Sequence, residues 1–223
     1  LAKDDPANRL YARQTRFRVD AEFVRDSALS ISGLLVQKLG GKSVKPYQPA
    51  GYWQHLNFPA RKWQAGKGDE LYRRSLYTFV CRSFPHPAMV AFDAPSREEC
   101  AAERPRSNIP QQALVLLNDP VFVEAAKALA ERLLQKGEAT DTERLSAIFS
   151  LALTRKPTKQ EEAVLLEHLA EQRKRYEADE KAALDLLSTG VKPVDGSIKP
   201  SELAAWTSVS RAMLNLYETT ARF

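Results

Sequence analysis

The stretch from Arg73 to Leu134 constrains the fold more than any other part of the chain. Six of the 13 prolines fall within it. Each proline removes a backbone donor and biases the preceding residue toward extended geometry. The stretch also holds both cysteines and three helix-start signals between apolar runs. The sequence therefore predicts turns and short helices here, with helical scaffold before and after.

Two turns are predicted in the first half of this stretch. Phe84–Pro87 contains two prolines and is predicted to form a turn or an irregular crossing segment. In the second turn, which follows it, Asp93 or Ser96 can accept backbone hydrogen bonds. Ser96 also opens an S-x-x-E sequence, which predicts a capping box and a short helical turn carrying Cys100. The apolar run 75–80 fits either a strand or a buried helix, because periodicity alone does not distinguish them.

Two helix starts follow in the second half. Asn108 is the predicted N-cap of a short helix, with Pro110 in the first turn, where its missing donor is harmless. The next helix is predicted to be capped at Asn118-Asp119 and to begin at Pro120. Its apolar residues recur at spacings of three and four, which predicts one buried face: Phe122, Ala125, Ala126, Leu129 and Leu133.

The rest of the chain divides into three segments. Residues 1–40 predict one long helix that starts at Asp5-Pro6 and ends at Gly40-Gly41. Residues 41–72 predict a long loop whose aromatic side chains either form a stacking platform for sugar rings or anchor the loop to the core. Residues 140–223 predict helices capped at Thr142, Thr158 and Ser201. With 73–136 as the central segment, the prediction is one mainly α, irregular helical domain.

Charge and composition limit the classes of function. The net charge is +5, and residues 1–74 carry 14 Lys/Arg against 7 Asp/Glu. This basic region is either a polyanion-binding surface or a solvated helix face with internal pairs. No apolar run of eighteen residues occurs, so no membrane span is expected.

Metal and cofactor motifs are not found. The three histidines are isolated, and neither cysteine belongs to a C-x-x-C-H haem attachment, so we expect no metal ion and no cofactor bound by this chain. Cys81 and Cys100 are either a disulfide that closes a loop or two free thiols.

The best candidate site is the polar part of the central segment. Arginine offers a planar fork for carboxylate or sulfate, and a histidine or carboxylate can serve as acid or base. The alternative is that these side chains cap helices and pair internally. The candidate catalytic residues are His86, Asp93 and Glu103, and the candidate ligand-binding residues are Arg97, Arg104, Arg106, Asn108 and Gln112.

Long ordered blocks of the sequence resemble a known family. FDAPSREECAAERPRSNIPQQALVLLNDPVFVEAA resembles the signature of the planctomycete-type DUF1553 (PSD1) family, and RLYARQTRFRVDAEFVRDSALSISG, KPYQPAGYW and LYRRSLYTF resemble its upstream blocks. The resemblance covers nearly the whole chain, although Ile109 stands where the family pattern has Thr.

The resemblance implies a context and leaves the reaction open. It implies the C-terminal part of a large exported protein, periplasmic or secreted, with a DUF1549 domain and a c-type cytochrome-like domain as companions. This chain shows no signal-peptide features at Leu1–Asp5, so we expect it to be a fragment. An exported polyanion partner is expected to be an acidic polysaccharide and not nucleic acid.

Two functions fit this context. The first is an interaction or glycan-presenting module without its own cofactor. The second is a catalytic domain, a hydrolase or oxidoreductase component, that acts on polysaccharide. The first predicts that Arg97, Arg104 and Arg106 are in internal pairs, and the second predicts that at least two of them face a cleft near Asp93 or His86.

Overall fold

The computed structural model describes residues 3–55, 62–82, 84–135 and 140–222. The prediction of a mainly α fold is confirmed for these residues. Two short strands, β1 (Phe17–Arg18) and β2 (Ala221–Arg222), pair antiparallel. The helices are α1 (Ala21–Ser32), α2 (Pro87–Ala91), α3 (Pro110–Asn118), α4 (Pro120–Leu134), α5 (Asp141–Leu153), α6 (Lys159–Ala178), α7 (Glu180–Leu187), α8 (Pro200–Leu214) and α9 (Tyr217–Thr220). None of these helices has both the length and the apolar character needed to cross a membrane.

The predicted long helix over residues 1–40 is wrong for most of its length. Helix α1 covers only Ala21–Ser32, and the chain before it is irregular up to β1. Gly33 ends the helix in the left-handed conformation (φ +83°), and its N–H donates to carbonyls of the last turn. The pairing of β1 with β2 extends residues 17–18, so a long-range contact overrides the local helical spacing.

Helix α4 is the centre of the fold. The predicted buried face is confirmed, since all five of its apolar residues are at most 1% exposed. Phe122 and Ala125 pack in one core cluster with α1, α2 and α3. Leu129 and Leu133 pack in a second cluster with α5, α6, α7 and α8, around the fully buried Trp206. Small alanines on α4 allow neighbouring helices to approach it closely.

The predicted helix starts are partly confirmed. Asp119 caps α4 by accepting from the Val121 N–H at 3.0 Å, and Pro120 is the first helical residue. Thr158 forms the predicted capping box. The N-cap of α5 is Thr140 and not Thr142, because Thr140 has the glutamate three residues later that completes a capping box.

Three other predicted caps are wrong. The residue before α3 is Ile109, so Asn108 lies one position too early to cap it. Helix α8 begins at Pro200, which places Ser201 inside the helix. Ser96 accepts from the Glu98 N–H at 3.3 Å and forms a local turn, and no helix carries Cys100. In the first two cases, proline at the first helical position sets the start.

The loop and the run before α2 are irregular, as the proline pattern predicted. Residues 75–77 form a 3-10 turn, and Val44 makes an isolated bridge with Thr78, so the run 75–80 is neither a regular strand nor an α-helix. In the aromatic loop, the Trp53 and Trp63 rings stack at 5.3 Å and the Trp63 indole donates to the Pro46 carbonyl at 2.7 Å. These contacts favour the anchoring role of the aromatics. Phe58 lies outside the described residues.

Both cysteines are free thiols in this structure. Cys81 is half-buried, whereas Cys100 is exposed to solvent. Of the two alternatives that the sequence left open, the structure therefore has the free thiols.

Candidate functional site

A large open groove lies beside the paired strands. We call it the arginine groove: its volume is about 710 Å³, and β1, the segment 106–113 and residues 215–220 line it. Three of the predicted ligand-binding residues lie here, namely Arg106, Asn108 and Gln112. The groove also brings in residues that were not predicted, namely Arg16, Phe17, Arg18 and Tyr217.

The charged side chains that line the groove are arginines, and the charge of one of them, Arg18, is balanced by Asp93. Three arginines line it, and no aspartate or glutamate does so among the described residues. The Arg106 guanidinium lies 5.3 Å from the centroid of the Phe17 ring and has no acidic partner in the described part of the chain. A guanidinium that lies over a ring and has no carboxylate partner keeps its N–H donors available for an anion.

A hydrogen-bonded turn at Asp93 connects two of the segments that line the groove. Asp93, at φ +62°, accepts from the Ser107 N–H and hydroxyl, both at 2.8 Å, and forms an ion pair with Arg18. Gln112 then donates to the Ser107 carbonyl at 3.2 Å. Asp93 therefore ties β1 to the segment before α3, and its carboxylate is occupied by partners within the chain.

A second, smaller cavity lies on the other side of the same turn. We call it the His86 cavity: its volume is about 110 Å³, and it is lined by Glu22, His86, Arg97 and Arg104 together with mostly apolar side chains. Phe92 lines the groove, while Ala94 and Pro95 line the His86 cavity. The predicted single site is thus divided in two by the turn at residues 92–95.

The polar residues of the His86 cavity differ in how they are paired. Arg104 donates to the Glu22 carboxylate at 2.8 and 3.3 Å. Arg97 is exposed and makes no hydrogen bond or ion pair with any described residue. His86 is only 5% exposed, and both of its ring nitrogens are buried. Of the remaining candidates, Glu103 is exposed and lines neither cavity.

Two buried groups, His86 and Asp119, have shifted pKa values. Burial, and then the positive charge of Arg25, lower the pKa of His86 to about 4, so its imidazole is neutral at physiological pH; the Tyr47 backbone opposes this shift. Burial raises the pKa of Asp119 to about 6, although the Val121 N–H and Arg25 oppose that shift. No local pattern in the sequence around Arg25 indicated that its charge would act on the pKa values of His86 and Asp119.

The stability of the protein should depend on pH through His86. Between pH 6.5 and about 4 the unfolded chain binds a proton at His86 and the folded chain does not. The contribution of His86 to the free energy of unfolding should therefore fall as the pH falls through this window, by up to about 3 kcal/mol. Urea unfolding of wild type and His86→Leu at pH 7 and at pH 4 measures this contribution. The variant has no imidazole to protonate, so acidification should lower its free energy of unfolding less than that of wild type.

Asp119 provides a control of opposite sign. Its folded pKa of about 6 lies above its ordinary value of 3.8, so its contribution is present below pH 3.8 and is lost as the pH rises through 6. Asp119→Asn should therefore increase the loss of stability on acidification, whereas His86→Leu should reduce it. If the free energies of unfolding of wild type and His86→Leu differ by the same amount at pH 7 and at pH 4, His86 is not the source of the pH dependence.

No metal site is built from the described side chains, since no group of three His, Cys, Asp or Glu comes together there.

The groove residues missed by the sequence analysis come from the two ends of the chain. Arg18 and Asp93 are 75 positions apart, and Tyr217 lies beyond α8. The only local signal was the alternation of Arg16, Phe17 and Arg18, which is typical of a strand.

Comparison with known proteins gives one finding. Searches of curated proteins and of solved structures find no match to this chain. A family model described as "PSD1: Protein of unknown function (DUF1553)" matches residues 1–169. This match covers most of the chain and confirms the resemblance carried by the central signature. The chain belongs to the PSD1 (DUF1553) family, whose function is unknown.

Proposed function

We propose that this domain is a non-catalytic interaction module that binds an acidic polysaccharide in the arginine groove. The observation that carries the proposal is a groove of about 710 Å³ in which Arg106 lies over the Phe17 ring without an acidic partner in the described chain, next to Arg16 and to the Asp93-paired Arg18. A cleft lined by one sign of charge concentrates ligands of the opposite sign.

The chemistry of the groove suits a sugar that carries carboxylate or sulfate. The guanidinium fork binds both groups in a bidentate manner. Tyr217, which is 50% exposed, and the ring of Phe17 supply apolar faces next to the charges. Aromatic faces pack against sugar rings because both present apolar surface there. The groove thus offers charge recognition and ring contact in one place.

Of the three arginines expected to be in internal pairs in an interaction module, only Arg104 has an acidic partner in the described chain, but the state of the carboxylates supports binding over catalysis. Glycoside hydrolysis in most enzymes needs two carboxyl groups facing one bond. Asp93 is occupied by Arg18 and Ser107, and Glu103 lies outside both cavities. The candidate acid and base therefore do not face each other across the groove.

The proposal is tested with Arg106→Ala. Polygalacturonate and dextran sulfate serve as the carboxylated and sulfated probes, and neutral dextran serves as the reference, with isothermal titration calorimetry as the measurement. We expect the acidic probes to bind and Arg106→Ala to weaken them about tenfold, since a charge-assisted hydrogen bond is lost. The melting temperature of the variant should match that of wild type, because Arg106 is exposed.

Arg175→Ala is the matched control. Arg175 is also exposed and lies 5.4 Å from the centroid of the Tyr176 ring, but on α6, away from the groove. Equal weakening by the two substitutions would mean that only overall charge matters and would overturn the groove assignment. Release of reducing ends from the acidic probes would favour the catalytic alternative.

A further inference from the structure

One side of helix α3 gives the arginine groove an apolar strip. Ile109, Ala113 and Leu116 follow one another at spacings of four and three residues, which places them on the same side of the helix. All three line the groove, together with Pro110 at the first helical position. Ile109 is 40% exposed, and Pro110 and Ala113 are also exposed, whereas Leu116 is buried. The groove therefore offers a ligand apolar surface as well as charge.

The strip begins close to the arginine that has no acidic partner among the described residues, Arg106. Arg106 and Ile109 are three positions apart, and three residues of chain span at most about 11 Å. One short stretch of polysaccharide therefore contacts both. A sugar that turns only hydroxyl groups to the strip loses hydrogen bonds to water without replacing them. An apolar substituent on the sugar avoids this cost and is itself removed from water.

Asn108 adds a hydrogen-bond donor beside the strip. Asn108 is exposed and lines the groove, and its side-chain amide makes no hydrogen bond to any described residue. The amide of Gln112, in contrast, already donates to the Ser107 carbonyl at 3.2 Å. An amide N–H beside apolar surface is complementary to an ester, which has a carbonyl oxygen that accepts and a methyl group that packs. A methyl ether has the methyl group and lacks the carbonyl.

We infer that the arginine groove prefers an acidic polysaccharide that carries O-acetyl groups, and that Ile109 and Asn108 determine this preference. The inference rests on the proposed function, since Arg106 binds the carboxylate or sulfate of the same ligand. The acetyl methyl packs on Ile109 and Ala113, and the acetyl carbonyl accepts from the Asn108 amide. An O-acetyl group replaces a hydroxyl and has no charge, so it adds two contacts and leaves the charge of the ligand unchanged.

The test compares polygalacturonate with the same polymer acetylated on its ring hydroxyls, by calorimetry of the intact chain. The two polymers have the same length and the same number of carboxylates. We expect the acetylated polymer to bind about tenfold more tightly, because a methyl group leaves water and a hydrogen bond is gained. Removal of the acetyl groups with mild alkali should return the affinity to that of the parent polymer.

Ile109→Thr should reduce the preference for the acetylated polymer to about threefold, since it removes apolar surface from the strip. Its affinity for polygalacturonate should equal that of wild type. Threonine is a better N-cap than isoleucine, so the melting temperature should not fall. Leu114→Thr is the matched control: Leu114 is also an apolar residue of α3 and is 57% exposed, but it does not line the groove. This control should keep the full preference.

Asn108→Ala tests the contact with the acetyl carbonyl. We expect it to reduce the preference about threefold, which corresponds to the loss of one neutral hydrogen bond. Equal affinity of wild type for the two polymers would overturn the acetyl preference and leave the polysaccharide proposal standing. An unchanged preference in Ile109→Thr or in Asn108→Ala would also overturn the inference, as would an equal loss in Leu114→Thr. If neither polymer binds, the proposed function itself fails.

Discussion

Glu124→Ala is expected to lower the free energy of unfolding by about 3–5 kcal/mol. Glu124 is 0% exposed and accepts from the Val191 N–H at 2.7 Å and the Lys192 N–H at 2.6 Å. The hydroxyls of Tyr72, at 3.1 Å, and Tyr47 also donate to it. Truncation leaves these buried donors without an acceptor, and urea unfolding measures the loss.

Two further variants test whether the buried Glu124 carboxylate stabilises the protein. Gly190 has φ +90°, and a Cβ there would lie 2.4 Å from the Glu124 carboxyl carbon, so Gly190→Ala should also destabilise the protein strongly. Glu171→Ala, on the exposed face of α6, should change the stability by less than about 0.5 kcal/mol. A Glu124→Ala effect as small as that of Glu171→Ala would show that the loop after α7 does not depend on Glu124.

Arg25→Met is expected to cost about 3–5 kcal/mol, because it removes a buried charge whose partners stay in place. Arg25 is 2% exposed and donates to the Leu71 carbonyl at 2.6 Å, the Arg73 carbonyl at 2.9 Å and the Ser75 hydroxyl at 3.2 Å. It also lies 4.0 Å from Asp26. Methionine fills a similar volume, so the loss reports the polar contacts and not a cavity.

Arg175→Met provides the comparison for this substitution. Arg175 is exposed on α6, so the same chemical change there should alter the free energy of unfolding by less than about 0.5 kcal/mol. The urea midpoints of Arg25→Met and Arg175→Met, each compared with wild type, measure the two changes in stability. If Arg25→Met is as stable as wild type, the region from Leu71 to Ser75 is held by its own packing and not by Arg25.

The elements best predicted from the sequence are those set by neighbours in the chain. The buried face of α4, the Asp119–Pro120 start and the Thr158 capping box depend only on spacing within one or two helical turns. The same local signals failed at Thr142 and Ser201, where a neighbouring residue offered a better cap or start. Local chemistry thus predicted which elements exist better than it predicted their ends.

The candidate site was predicted by residue type and only partly by position. Arg106 and Gln112 line one cavity, whereas His86 and Arg97 line another, and the turn containing Asp93 separates them. A single cluster was expected because these residues are close in sequence. Sequence proximity does not show on which side of a turn each side chain emerges, since that depends on backbone angles such as the positive φ of Asp93.

The sequence by itself determined the mainly α class, the central helix α4, the irregular proline-rich middle and the family. Only the tertiary structure decided that α1 is short, that the chain ends pair through β1 and β2, and that Arg18 joins Asp93 to complete the groove. The physical reason is that helical period and capping are local interactions. Strand pairing and buried ion pairs join residues far apart in the chain, so they form only once the helices are packed.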